Sequence, residues 1–300
     1  MRVEDIKKIG VLGAGVMGHG IAQVAARTGY EVVLVDISED ILKKALELIK
    51  SGPFGLKRLV EKGRMTEEEM EKCMERIKTS TSLESLKDVD FLIEAIPEDI
   101  NLKKKVFSQL DKICKPECIF ATNTSGIMIT DLASAVERKD KFIGMHWFNP
   151  APVMKLIEII RGTLTSDETY QITVELSKKF GKIPIEAKDG PGFFTTRFIN
   201  CWLVEAIRLF EQGIAGIKEI DEMCKLAFGF PMGPFELMDL IGLDTVYHIA
   251  EYVYNETKEP HYAPPLTLKK LVLSGYIGDK KLKPTSKGGW YDFFGIEKKK

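Results

Sequence analysis

Short apolar runs bounded by glycine, proline and charged residues alternate with amphipathic stretches along the first two-thirds of the chain. The runs predict strands at Lys8–Leu12, Glu31–Asp36, Asp90–Ala95, Cys118–Thr122, Phe142–Trp147, Met154–Ile160 and Lys182–Ala187. The stretches between them predict helices at Val16–Thr28, Asp40–Lys50, Thr66–Arg76 and Asn101–Ile113. Thr66-Glu67-Glu68-Glu69 has the form of a capping box, and Gly29 stands where a helix ends on a C′ glycine. Strands alternating with helices imply right-handed βαβ units and a parallel sheet covered on both faces.

Ser51–Met65 breaks that rhythm with Gly52, Pro53 and Gly55, then Lys57, Arg58 and Lys62, and reads as an inserted helix pair protruding from the sheet. After Asp189-Gly-Pro191-Gly192 the strand signal stops. Phe193–Glu211, Lys218–Phe228, Pro234–Thr257 and Pro265–Ser274 read as helices. In the first of these, Phe198, Trp202, Leu203, Ile207, Leu209 and Phe210 occupy more than one face. A helix apolar most of the way round is covered on both sides. A second subunit would supply that cover, and so would the interior of a monomeric helical core.

The first strand runs into Gly13-Ala-Gly15-Val16-Met17-Gly18, and an acid, Asp36, follows at the end of the second strand. Gly13 permits a tight turn, Gly15 lets backbone approach a pyrophosphate, and Gly18 allows close packing of helix on strand. The phosphates would rest on the N–H groups of a helix beginning near Val16 and Met17. Asp36 would accept from the ribose hydroxyls and repel a 2′-phosphate, which favours NAD. A glycine turn serving packing alone is the other reading. The expected fold is α/β: a Rossmann-type doubly wound sheet domain over residues 1–188, with a helical insertion near 51–76, then an all-α domain over residues 189–300.

Composition narrows the class. Forty-three basic against 44 acidic residues leave a net charge of −1, which argues against a nucleic-acid partner. The five cysteines follow neither zinc nor CxxC spacing, so reduced thiols and no metal are expected. The first strand begins within about seven residues of Met1, and no run approaches 18 apolar residues. A cytoplasmic protein without membrane contact is expected. The lysine clusters, including Lys298-Lys299-Lys300, read as solvated surface, with contact of some of them to a polyanionic small molecule as the other reading.

Polar groups interrupt three segments that otherwise feed the core. Asn123 and Ser125 follow a sheet strand directly, where strand ends line a ligand crevice; a locally capped polar turn is the alternative. Of four histidines, only His146 ends an apolar strand of the sheet domain, and imidazole exchanges protons near neutral pH. Glu158 interrupts Met154-Lys-Leu-Ile-Glu158-Ile-Ile160. It is either a solvent-facing residue of an edge strand or is folded back beside His146 as a base-orienting carboxylate.

Together, Gly13–Gly18 with Asp36, Glu94-Ala-Ile-Pro-Glu98, Asn123-Thr-Ser125, His146-Trp-Phe-Asn149-Pro, Met154-Lys-Leu-Ile-Glu158, Pro191-Gly-Phe193 and Gly229-Phe-Pro-Met-Gly-Pro-Phe-Glu236-Leu-Met-Asp239 resemble the L-3-hydroxyacyl-CoA dehydrogenases, 3-hydroxybutyryl-CoA dehydrogenases among them. The resemblance covers nearly the whole chain. It implies oxidation of an L-3-hydroxyacyl-CoA by NAD, with His146 as base, Glu158 as its partner and Ser125 on the substrate oxygen. It further implies that Glu98, Lys103, Asn123 and Asn149 serve the cofactor site, that Lys57 and Lys62 meet CoA phosphates, and that the C-terminal helices form a homodimer. Two departures stand out. The family's Pro-Gly-Phe-x-x-Asn-Arg ends here in Thr196-Arg197, with Asn200 one turn on as a possible stand-in for the missing amide. The usual Lys-Thr-Gly ending is altered at Lys283-Pro-Thr-Ser-Lys287, which leaves open which lysine would meet the nicotinamide ribose. A dehydrogenase of a free hydroxy or sugar acid of the gulonate type, and a non-catalytic NAD-binding protein, are the alternative readings.

Overall fold

A computed structural model describes residues 2–297; the lysine run Lys298-Lys299-Lys300 lies outside them. The chain divides into two compact units, Met1–Gly190 and Pro191–Lys300.

The first unit is built on one eight-stranded sheet. Its strands are β1 (Lys8–Leu12), β2 (Glu31–Val35), β3 (Ile77–Ser80), β4 (Phe91–Glu94), β5 (Ile119–Thr122), β6 (Phe142–Trp147), β7 (Leu156–Arg161) and β8 (Ile183–Lys188). They lie in the order β3-β2-β1-β4-β5-β6-β7-β8. Strands β3 to β6 along this order pair in parallel, β6 pairs with β7 antiparallel, and β7 pairs with β8 in parallel. Helices α1 (Gly18–Arg27), α2 (Glu39–Ser51), α3 (Leu56–Glu61), α4 (Glu67–Glu75), α5 (Ile100–Ile113), α6 (Ile129–Ala133) and α7 (Asp167–Lys179) join them. Every residue of β4, β5 and β6 is buried, as in a parallel sheet covered on both faces. The capping box at α4 forms as expected: Glu69 N–H donates to Thr66 Oγ1, and Thr66 N–H donates to the Glu69 carboxylate.

Strand order reverses direction between β1 and β4, so a crevice opens at the C-terminal ends of these strands. Three elements are absent from the sequence expectations. β3 is four residues long, and only Ile77 of Ile77-Lys-Thr-Ser80 is buried. α6 has five residues. α7 buries Thr169, Thr173 and Ser177 together with Ile172 and Leu176, so its inner face lacks the apolar period that marks a helix. Its hydroxyls are satisfied within the helix, Thr173 Oγ1 donating to Thr169 O and Ser177 Oγ to Thr173 O, each at 2.7 Å.

The second unit is helical: α8 (Thr195–Glu211), α9 (Ile217–Phe228), α10 (Pro234–Ile241), α11 (Leu243–Thr257), α12 (Leu266–Leu273) and α13 (Trp290–Phe294). Leu203, Ile207, Phe235, Met238, Val246, Leu268 and Trp290 belong to its own core. The single helix expected over Pro234–Thr257 is two, because Gly242 (φ +108°) turns the backbone into the region L-residues avoid. The five-residue α13 was not expected either. It is held by Asp239, which accepts from Trp290 N–H at 2.6 Å, and by Asp221, which accepts from Tyr291 Oη at 2.7 Å. No helix among the described residues is long and apolar enough to cross a membrane.

Candidate active site

The glycine turn after β1 is shaped by contacts that exclude side chains. Gly13 has φ +95°, and a Cβ there would lie 2.5 Å from Ala95 O. A Cβ on Gly18 would lie 1.7 Å from Gly13 O. Gly15 differs, since a Cβ there would meet nothing within 4 Å. The first two glycines are required by the protein's own packing, whereas the third keeps space clear beside the N-terminus of α1, where Val16 is exposed and Met17 precedes the first helical residue. At the end of β2, Asp36 accepts from Ala14 N–H at 2.7 Å, which ties the acid to the turn. A helix N-terminus with open space over a glycine, and a carboxylate fixed one strand away, suit a dinucleotide pyrophosphate and an unphosphorylated ribose. When bound, NAD supplies a nicotinamide that takes up hydride.

A second group forms where β4 and β5 end. Glu94 closes β4 fully buried, and one of its oxygens takes Lys103 Nζ at 2.6 Å while the other takes Thr122 Oγ1 at 2.6 Å. Lys103 Nζ also lies 3.3 Å from Glu98. Lys103, expected at the cofactor site, is 1 % exposed and seated in this carboxylate pair, where two opposite charges offset the cost of burying an ammonium. Glu98 in turn accepts from Thr124 Oγ1 and from Ser125 N–H, the latter at 2.7 Å. The chain Glu94–Lys103–Glu98 thus sets the turn that carries Asn123 and Ser125. Asn123 Oδ1 accepts from Trp147 N–H at 2.8 Å, which joins this turn to the end of β6. Glu94, quoted above only as part of a motif, is the organising residue that sequence reading missed. Its signal was the same as that of Glu158, a lone carboxylate in an apolar strand.

The antiparallel register of β6 and β7 sets His146 directly opposite Glu158. His146 Nδ1 lies 2.9 Å from Glu158 Oε2, with both residues at 5 % exposure or less. β7 is not an edge strand, because β8 pairs on its far side, so the solvent-facing reading of Glu158 does not hold. A carboxylate at this position can accept a proton carried on Nδ1, which leaves the Nε2 lone pair free to act as an acceptor. Phe148 lies against the imidazole with ring centroids 4.5 Å apart. The segment continues through exposed Asn149 and a cis peptide to Pro150. Lys182 holds it from beneath: Nζ donates to Ala151 O at 2.6 Å and to Met154 O at 2.7 Å. Burial and nearby Arg27 pull its ammonium down to about 8.

Lys57 on α3 and Lys62 at its end are both exposed. Thr196 and Asn200 belong to the second unit, one turn apart on the buried face of α8. Both side-chain polar atoms of Asn200 are enclosed without a hydrogen-bond partner among the described residues. A buried amide in that condition costs on the order of 1–3 kcal/mol, which a ligand or water would recover.

Comparisons with known proteins agree across both units. The family described as "3-hydroxyacyl-CoA dehydrogenase, NAD binding domain" matches residues 8–190, and "3-hydroxyacyl-CoA dehydrogenase, C-terminal domain" matches residues 192–288. The human mitochondrial hydroxyacyl-coenzyme A dehydrogenase is 43% identical over 279 residues, 92% of this chain and 89% of that one. A 3-hydroxybutyryl-CoA dehydrogenase of Clostridioides difficile is 41% identical over 286 residues, 95% of this chain and 99% of that one. Among solved structures, (S)-3-hydroxybutyryl-CoA dehydrogenase from Ralstonia eutropha superposes with a TM-score of 0.87 at 44% identity, covering 92% of this chain and 97% of that chain. With the glycine turn, the fixed acid and the His–Glu pair in one sheet unit, and matches running through both units, the chain belongs to the 3-hydroxyacyl-CoA dehydrogenase family and is an NAD-dependent oxidoreductase.

Proposed function

We propose that the protein interconverts a short-chain L-3-hydroxyacyl-CoA and the 3-ketoacyl-CoA, and that His146 is its general base. The observation that carries this reading is the buried Nδ1–carboxylate pair between His146 and Glu158, 2.9 Å apart. In the oxidative direction Nε2 of His146 takes the C3 hydroxyl proton, and the nicotinamide, once held by the glycine turn, Asp36, Asn123 and Asn149, would supply the acceptor for the C3 hydride. The hydroxyl oxygen becomes the ketone oxygen, and the imidazolium is held by Glu158. Ser125 Oγ, on a turn set by Glu98, hydrogen-bonds that oxygen. Asn123 and Asn149 support the nicotinamide side of the pocket, and Gly13, Gly15, Val16, Met17, Gly18 and Asp36 hold the adenosine and pyrophosphate. The names of the relatives support the thioester and the short chain, and exposed Lys57 and Lys62 offer charge to the CoA phosphates.

Thr196 stands where the family carries an asparagine, and in this reading either its hydroxyl or the amide of Asn200 takes that asparagine's oxygen-polarising role. Asn200→Ala is expected to lower turnover by about 10²–10³, the usual loss for one polarising donor, while Asn200→Ala with Thr196→Asn restores part of it. Equal activity of Asn200→Ala and wild type would reject Asn200 and leave the role to Thr196.

The assembly is a homodimer through the helical unit in this reading. Met223, Leu226, Phe228 and Phe230 are exposed at 53, 83, 66 and 41 %, and residues of α9 line an apolar hollow of about 540 Å³ beside them. Apolar surface of this extent is rarely left in water, and a second copy covers it through a self-complementary contact.

The test is NADH oxidation with acetoacetyl-CoA beside free acetoacetate. Turnover with the thioester alone is expected. His146→Gln should reduce it by at least about 10²–10⁴ with NADH binding kept. Turnover of that variant near the wild-type rate would remove His146 from the mechanism, and preference for the free acid would remove CoA from the substrate.

A further inference from the structure

The first unit carries a second cavity, of about 480 Å³, whose lining includes Arg27, Arg64, Lys72, Arg76, Glu69 and Cys73. It lies at the other end of the sheet from the glycine turn. Arg27 is the last residue of α1, a ten-residue helix that starts at that turn and spans about 15 Å. Arg76 directly precedes the first residue of β3, at the N-terminal edge of the sheet, whereas the cofactor crevice is at the C-terminal edge.

The charges here are poorly matched by the protein. Among the described residues neither Arg27 nor Arg64 has a side-chain hydrogen bond or an ion pair. The one side-chain contact of Arg76 is donation to Ala26 O at 3.1 Å, at the end of α1. Lys72 pairs with Glu68, which is not part of the lining. The sole lining carboxylate, Glu69, is already accepting from Thr66 N–H in the α4 cap. Three arginines therefore line one hollow whose single carboxylate is already partly engaged. Like charges held together repel unless an anion sits between them, and guanidinium forks match phosphate oxygens in a bidentate manner. Leu59, Met65 and the buried Cys73 are the apolar residues of the lining.

We propose that this cavity binds a nucleotide-like phosphate ester with two or more negative charges. Arg27, Arg64 and Arg76 grip its phosphates, and Leu59, Met65 and Cys73 pack on its organic part. The site is separate from the one that takes NAD, so occupancy does not depend on the dehydrogenase reading. Its source in solution is either a free nucleotide or the phosphorylated adenosine end of a CoA ester.

The experiment is titration of the full chain, saturated with NADH, with AMP, ADP, ATP and inorganic pyrophosphate, followed by thermal unfolding and calorimetry. Saturable binding that tightens with phosphate number is expected. Arg64→Glu, a change at an exposed side chain without a partner, should weaken ATP at least about tenfold, the equivalent of one charge-assisted hydrogen bond, and leave NADH affinity unchanged. Arg76→Ala should do the same, but Arg64→Glu decides if that variant unfolds. Displacement of ATP by CoA, with the same loss in Arg64→Glu, would identify CoA as the source; persistence of ATP against CoA would identify a free nucleotide. No saturable binding of ATP or pyrophosphate, or ATP binding unaltered by Arg64→Glu, would overturn the proposal.

Discussion

Lys103 illustrates how much depends on single buried charges. Replacing it with methionine removes the one cation paired with Glu94 among the described residues, and Glu94 has no exposure. An uncompensated charge of this kind typically costs about 3–5 kcal/mol. Lys103→Met is expected to lose that much in chemical denaturation, and the double variant Lys103→Met, Glu94→Leu should regain most of it. Asp221 carries a related penalty in the helical unit. Burial raises its carboxyl to about 6, although it accepts from Tyr291 Oη and from the N–H groups of Phe235 and Glu236 at the start of α10. A carboxyl raised in the folded state contributes stability below its unfolded pKa near 4, and that contribution disappears as pH climbs through about 6. Wild type should therefore lose on the order of 1–3 kcal/mol between pH 4 and 6 relative to Asp221→Asn. Parallel unfolding curves for the two proteins over that range would contradict this account.

Among the elements, the glycine turn separates packing from binding. A Cβ on Gly18 meets backbone at 1.7 Å and one on Gly15 meets nothing within 4 Å. Gly18→Ala is therefore expected to lower Tm and weaken NADH together, because the turn must open. Gly15→Ala should leave Tm unchanged and, if the open space there takes the cofactor phosphates as proposed, weaken NADH by about tenfold or more. Fluorescence titration with NADH beside thermal melts distinguishes the two outcomes. The β6–β7 pair shows the reverse dependence, with no special local conformation at His146 or Glu158. What joins them is the register, and a slip of one residue would turn Glu158 to the opposite face of the sheet.

At the scale of the whole molecule, the exposed apolar side chains of α9 and its following turn set an expectation for assembly. Leu226→Glu with Phe228→Glu should convert the proposed dimer to a monomer in sedimentation velocity while the helical signal is retained. A wild-type chain that sediments as a monomer at micromolar concentration would reject the dimer.

Legibility in the sequence follows from the range of the interactions involved. The glycine turn, Asp36, the α4 capping box and the alternation of strand and helix rest on neighbours within a few turns of chain, so residue type and spacing report them. The change from sheet to helices near residue 190 is a change of period and is equally visible. α7 was missed because threonine and serine hydroxyls, self-satisfied on carbonyls one turn back, replace apolar groups on its buried face. β3 was missed because four residues are too short to show a period. The position of Glu158 remained open between solvent and His146, since only the far-side pairing with β8 makes β7 an inner strand. The seat of Lys103 between two carboxylates was not legible for a similar reason. Whether an ammonium meets water, ligand or two carboxylates depends on how a helix packs over strand ends, and burial of charge is a property of that packing rather than of residue order.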